Sequence, residues 1–316
     1  MSEAGRPSHP LVAIVGPTAS GKSALGVAVA ARFGGEVLCC DSTQLYKHFS
    51  IGTGKVRAEE QQGISHHLMD LLEPHEVFTA GAYRAKALEL LKDLEQRGKL
   101  PVFTVGTGLY LRALLEGLAN APTRSDELRA RLRAREQEHG PGYLHEILSR
   151  LDAEAAARIA PRDTPKVIRA IEVCVLSGKP ISELHRAGRP RLEGYRPIKI
   201  GLAPPRVELY QRIERRVEQM LAAGWLEEVR GLVEKGVPPK SKPFQFIGYA
   251  QLRSHLAGVV TREEAVKSIR QATRRYAKRQ LTWFRKEPNV RWLEGFGDEP
   301  AVRDAVLALL ETELKS

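Results

Sequence analysis

Short apolar runs mark the first third of the chain: residues 11–15, Glu36–Cys40 and Pro101–Val105. Continuous runs of four to eight apolar residues, each ended by turn residues, predict buried strands. Between them lie segments of helical character. Residues 24–32 are Ala-rich, and residues 80–97 carry apolar side chains at Ala80, Tyr83, Ala87, Leu90, Leu91 and Leu94. That spacing predicts a helix laid over a parallel sheet. From 119 to 191 the strand signals vanish. Helical stretches over Asp126–His139, Tyr143–Leu151, 153–159 and 165–176 are bracketed by Pro122 and Gly188-Arg189-Pro190. A strand pattern returns at 197–202, followed by one long helix over 206–230. Its apolar stripe is Val207, Tyr210, Ile213, Val217, Met220 and Leu221, with Arg212, Arg215, Arg216 and Gln219 on the opposite side. An aromatic loop at 244–249 and a final basic helix over 262–286 close the pattern. The reading is an α/β fold: a parallel sheet flanked by helices, residues 1–118 and 192–316, with an all-helical insertion at 119–191.

The chemistry gathers where the strands end. Gly16-Pro17-Thr18-Ala19-Ser20-Gly21-Lys22-Ser23 joins the first strand to the first helix and fits the full G-x-x-x-x-G-K-[ST] phosphate loop. Its glycines let backbone N–H groups face inward as an anion nest at a helix N-terminus. Lys22 adds a point charge, and the Ser23 hydroxyl is placed to bind Mg²⁺. The fold expected is therefore P-loop NTPase-like, and its ligand carries two or more linked phosphates. The second strand ends in Asp41-Ser42-Thr43-Gln44, which topology puts near the same loop, since ligands of open α/β sheets sit beyond the strands' carboxyl ends. Asp41 fits three roles at this stage: a turn or helix cap, a Mg²⁺ ligand, or a general base. The third strand ends in Gly106-Thr107-Gly108, so Thr107 is expected to line the same pocket. Ile51-Gly52-Thr53-Gly54-Lys55 fits a phosphate contact and a plain surface turn equally well. His66-His67 lacks metal-ligand spacing and is assigned to packing or backbone hydrogen bonding.

Charge adds a second partner. Lys and Arg outnumber Asp and Glu by 49 to 38 in 316 residues, a balance of +11 that suits a polyanion such as nucleic acid. In the last helix Arg270, Arg274, Arg275, Lys278, Arg279 and Arg285 interleave with Ile269, Tyr276, Trp283 and Phe284. The stripe of basic residues four apart reads as a nucleic-acid contact beside such a balance, and as a solvated face in isolation. Three cysteines form neither a disulfide framework nor a zinc site and fit a reducing cytosol. The polar opening, residues 1–10, lacks the apolar core of a signal peptide, and no apolar run spans a membrane. A cytoplasmic enzyme is expected. Three functions fit these residues: group transfer from a diphosphate to a nucleic acid, a kinase-like phosphotransferase, and a nucleic-acid-binding ATPase-like switch.

Taken together and in order, the motifs resemble the bacterial tRNA dimethylallyltransferases. They are the phosphate loop, Asp41-Ser42-Thr43-Gln44-Leu45-Tyr46, Ile51-Gly52-Thr53, His66-His67-Leu68-Met69-Asp70 and Gly106-Thr107-Gly108-Leu109-Tyr110. Ile168-Arg169-Ala170-Ile171-Glu172-Val173, Ile247-Gly248-Tyr249 and a run from Thr273 to Trp283 complete the set. The resemblance implies transfer of the dimethylallyl group of dimethylallyl diphosphate to N6 of the adenosine 3′ of the tRNA anticodon. The phosphate loop, with Lys22, then holds a diphosphate leaving group assisted by Mg²⁺ at Ser23. Asp41 matches the acid that accepts the N6 proton, and Thr107 the hydroxyl beside the reacting region. Contacts to the tRNA anticodon stem-loop are implied for residues 41–44, Thr107, Arg129, Pro165-Lys166-Val167-Ile168-Arg169 and Gln245-Phe246-Ile247-Gly248-Tyr249-Ala250. Arg274 and Lys278 join them from the basic stripe, and Phe246 and Tyr249 are expected to stack against bases. The enzyme is expected to act as a monomer. Departures are modest: Val105 stands where the family usually has glycine, and Arg162-Asp163-Thr164 where Asn-Asp is frequent.

Overall fold

The computed structural model describes residues 9–315, so most of the polar opening segment lies outside the described residues. Six strands form one sheet: β1 (His9–Val15), β2 (Glu36–Cys40), β3 (His66–His67), β4 (Pro101–Val105), β5 (Tyr195–Leu202) and β6 (Val290–Leu293). Their order is β3-β2-β4-β1-β5-β6, and every pairing is parallel. Parallel strands need crossovers, which here are helices covering both faces. The first three helices are α1 (Lys22–Phe33), α2 (Ala80–Gln96) and α3 (Gly108–Glu116). After β5 come α9 (Arg206–Ala222), α10 (Trp225–Glu234), α11 (Tyr249–Leu256) and α12 (Arg262–Phe284), and α13 (Pro300–Glu313) follows β6. Between α3 and β5 lie α4 (Asp126–His139), α5 (Tyr143–Leu151), α6 (Ala153–Arg158), α7 (Thr164–Ser177) and α8 (Ile181–Arg186).

The chain divides into two compact units, one ending at Leu114 and resuming at Glu193, the other running from Leu115 to Leu192. In the first, Val12 and Ile14 of β1, Val102 of β4 and Ile200 of β5 are buried against Leu25 and Val29 of α1 and Val306 and Leu310 of α13. These apolar runs lie between helices, which is why they show no alternation. The second unit has its own core, built from Leu144 and Leu148 of α5, Ala155 and Ala156 of α6, and Val167, Ile168 and Ile171 of α7.

The helix expected over 206–230 is two helices. Gly224 has φ 94°, a left-handed conformation that ends α9, and Trp225 starts α10 with its ring 2% exposed. The apolar stripe continues across the break, so periodicity alone hid it. Among the described residues no helix is long and apolar enough to cross a membrane, and the three cysteines are buried and free.

Candidate active site

Because β2, β4 and β1 are neighbours and parallel, their carboxyl ends bring three segments together: Asp41 after β2, Gly106 after β4 and the phosphate loop after β1. They open on a cleft of about 1790 Å³ within the first unit. Residues 18–23, Asp41, Ser42, Thr43, Gln44 and Gly106 form one wall. Arg212, Arg215 and Arg216 of α9 and Thr273, Tyr276, Arg279 and Gln280 of α12 form the rest, with Gln245, Phe246 and Ile247 at one side.

Lys22 is the cation of the loop. Its Nζ donates to the carbonyls of Gly16 (2.9 Å) and Pro17 (2.7 Å). Burial pulls its pKa down to about 8, with the Asp41 carboxylate opposing the fall and the Arg216 guanidinium adding to it. Arg216 is itself held below its usual range by burial first, then by neighbouring Arg212, with Glu60 opposing. Two cations facing a shared cavity with little compensation form a site for an anion.

Asp41 divides its oxygens. Oδ1 accepts from the Thr43 backbone N–H (2.8 Å) and hydroxyl (2.7 Å), a local turn that fixes the side chain. Oδ2 lies over Gly106, where any Cβ would stand 1.9 Å from it. Only glycine at 106 leaves room for the carboxylate in this pose. Thr107 is not a wall residue; its Oγ1 accepts from the Ser42 N–H (2.9 Å) and donates to the Ser42 hydroxyl (3.2 Å). It braces the Asp41-Ser42 turn from behind. Gln44 is likewise engaged: Nε2 donates to the carbonyls of Thr53 (3.2 Å) and Gly54 (3.3 Å) and so ties in the 51–55 loop. Lys55 of that loop is ion-paired with Asp70 at 2.6 Å.

The residues expected to meet tRNA fall into two groups. Gln245, Phe246 and Ile247 line the cleft, and Lys278, Pro165 and Lys166 are exposed. The others are built into the structure. Tyr249 is fully buried; its Oη donates to Glu228 and accepts from the Gly52 N–H, so its ring offers no stacking face. Gly248 lies against Trp225, where a Cβ would come within 1.8 Å, and the following Ala250 is partly buried in α11. Val167 and Ile168 are core residues of the helical unit. Arg129 and Arg169 both clamp the buried Glu172 carboxylate, at 2.7 Å and 2.6 Å. Arg274 pairs with Glu214 of α9 and lies 5.5 Å from the Tyr210 ring centre. Arg129, Arg274, Gly248 and Tyr249 face partners from distant segments, which sequence spacing does not display.

Sequence reasoning missed Arg216 and Gln280 as site residues. Arg212 and Arg216 stand four apart on α9 beside the apolar Ile213, Val217 and Met220, which line the same cleft, a spacing that was visible but pointed equally to solvent. Gln280 gave no signal beyond its place in a motif. It is 6% exposed; Oε1 accepts from the Thr18 N–H (2.8 Å) and Nε2 donates to the Gly106 carbonyl (2.8 Å).

The donors offered to a metal here are hard oxygens: the Ser23 hydroxyl and the Asp41 and Asp298 carboxylates line the cleft. That set fits Mg²⁺. Among the described residues no cluster of three or more His, Cys, Asp or Glu side chains could hold an ion by itself.

A family model described as IPP transferase matches residues 44–287. The tRNA dimethylallyltransferase of Koribacter versatilis is 51% identical over 306 residues, covering 96% of this chain and 99% of that protein. The solved full-length tRNA isopentenylpyrophosphate transferase of Bacillus halodurans is 37% identical with a TM-score of 0.70, covering 98% of each chain. A eukaryotic dimethylallyltransferase solved acting on tRNA has a TM-score of 0.80 at 26% identity, over 97% of this chain and 80% of that one. By sequence and by fold, the chain belongs to the IPP transferase family, among the tRNA dimethylallyltransferases.

Proposed function

We propose that the enzyme transfers the dimethylallyl group of dimethylallyl diphosphate to N6 of the adenosine 3′ of the tRNA anticodon, releasing diphosphate. The observation that carries the reading is one cleft in which the phosphate loop with Lys22 and the open Oδ2 of Asp41 share a wall, and Arg216 of α9 lines the rest. The allylic C–O bond breaks toward a delocalised cation, so the costly charge is the one growing on the departing diphosphate. The loop's free N–H groups, Lys22 and Arg216 line the cleft and would meet that charge as donors. Mg²⁺ bound at Ser23 would add neutralising charge to the same oxygens.

As the N6–C bond forms, the exocyclic nitrogen must lose a proton. Asp41 Oδ2 takes it; Oδ1, bound to Thr43, keeps the carboxylate oriented, and Thr107 holds the turn through Ser42. The base must leave its stack to reach Asp41, at a cost of about a few kcal/mol. Phe246, half-exposed at the cleft, is the aromatic surface that offsets part of it. Lys278 in the first unit, and Pro165 and Lys166 in the second, are exposed and accessible to tRNA.

The test is the mass of unmodified tRNA after incubation with enzyme, Mg²⁺ and dimethylallyl diphosphate, without ATP. A gain of one dimethylallyl group per tRNA is expected; no gain unless ATP is supplied would replace this reading with a phosphotransferase. In single-turnover transfer, Asp41→Asn should fall by about 10²–10⁴ with both substrates still bound. Full recovery in excess Mg²⁺ would make Asp41 a metal ligand instead of the base.

A further inference from the structure

We propose that Gln280 is a positioning residue of the transfer reaction: its side-chain amide ties the phosphate loop to the Gly106–Asp41 edge and sets the separation between leaving group and base. This rests on the reading of Asp41 and the phosphate loop given above. The loop after β1 and the turn after β4 belong to adjacent strands, but beyond the last ladder pair, Val15 with Val105, no strand hydrogen bond holds them in register. Gln280 spans that gap from α12: its Oε1 accepts from the Thr18 N–H and its Nε2 donates to the Gly106 carbonyl, at 2.8 Å each. The bond to Gly106 is buried and the bond to Thr18 partly so, and a low local dielectric strengthens such bonds.

Gly106 is the hinge of the arrangement. Its N–H donates to the Cys40 carbonyl (3.0 Å), its carbonyl accepts from Gln280, and its Cα face carries the Asp41 carboxylate. The Tyr276 hydroxyl also reaches the Gly106 carbonyl, at 3.4 Å, so Gln280 is the shorter of two contacts from α12 to the residue that carries Asp41. Because the Thr18 N–H is already taken by Gln280, Thr18 is a fixed point of the loop and not one of its free anion donors. The amide therefore acts through backbone atoms on both reacting ends.

Two variants test this in the full-length enzyme. Gln280→Met keeps the volume and removes both hydrogen bonds. The expected result is a kcat lower by roughly 10- to 100-fold with KM for both substrates, and affinity for inorganic diphosphate, within about threefold of wild type. A loss confined to KM, or an unchanged kcat, overturns the proposal. Gln280→Glu keeps the acceptor for Thr18, but only its protonated form can donate to Gly106. The ratio of variant to wild-type kcat should therefore fall as pH rises through the carboxyl's pKa, which burial raises. Lys22, Asp41 and Tyr276 line the same cleft and are common to both proteins, so the ratio reports the new carboxyl. A pH-independent ratio overturns the proposal even if Gln280→Met fails to fold. Absence of transfer by the wild type would instead remove the function on which it rests.

Discussion

At the scale of single residues, the site is a problem of unequal charge. Lys22 is desolvated to a pKa of about 8 from an ordinary 10.5, so in the free enzyme it loses its proton just above neutrality. The neutral amine attracts diphosphate less, so kcat/KM for dimethylallyl diphosphate should decline above about pH 8. Bound diphosphate restores the charge, so kcat should stay flatter across the same range. Lys22→Arg, whose guanidinium remains charged, should lose the alkaline limb, and Lys22→Ala should cost about 10²–10³ in rate. An alkaline limb that survives in Lys22→Arg would assign it to another group. The motif was enough to find Lys22 and Ser23, because a nest and its lysine lie within eight consecutive residues. Arg216 was not found that way. Its role comes from α9 lying across the cleft, almost two hundred residues later in the chain.

At the scale of elements, the basic helix is two things at once. Arg270 and Arg274 of α12 pair with Glu218 and Glu214 of α9, 52 and 60 residues earlier, and so join two helices. Lys278 has no such partner among the ion pairs of the described residues and is exposed. Lys278→Ala should lower the salt slope of tRNA binding by roughly one. Arg274→Ala should leave the slope nearly unchanged and reduce thermal stability by separating α9 from α12. Titrating tRNA affinity across a salt series distinguishes them; equal slope changes would return Arg274 to the nucleic-acid surface. The stripe itself was legible in the sequence, as were β2, β4 and the covering helix α2. Which basic residues were free was not, because the partners sit on another helix. Tyr249 failed the same way: an aromatic in a polar-flanked motif looks accessible until Glu228 and Gly52 close over it.

At the scale of the whole molecule, each unit contains a buried glutamate whose hydrogen bonds hold its carboxyl far below the ordinary range. In the first, hydrogen bonds from Arg97 hold Glu36 down to about 2 against the penalty of burial, with His67 assisting. In the second, burial pushes Glu172 up, but Arg129, Arg169 and the Ser125 N–H overcome it and hold the group at about 2. The ordinary value is 4.5 in both cases. A folded pKa below the unfolded one contributes stability that is complete above pH 4.5 and lost as pH falls toward 2. Urea unfolding over an acidic pH series should show this decline, and Glu172→Gln should flatten it. That variant also leaves two guanidiniums facing a neutral amide, a loss of about 3–5 kcal/mol at neutral pH. A Glu172→Gln protein as stable as wild type would show that the clamp is not structural. The sequence by itself determined the parallel sheet, the phosphate loop and the strand-end position of Asp41, because those depend on patterns spanning a few residues. Only the tertiary structure decided which charged groups are free, which oxygen of Asp41 is open and how Gln280 bridges the strand ends. Each of those depends on burial and on partners brought from distant segments by the strand order, and no local pattern encodes either.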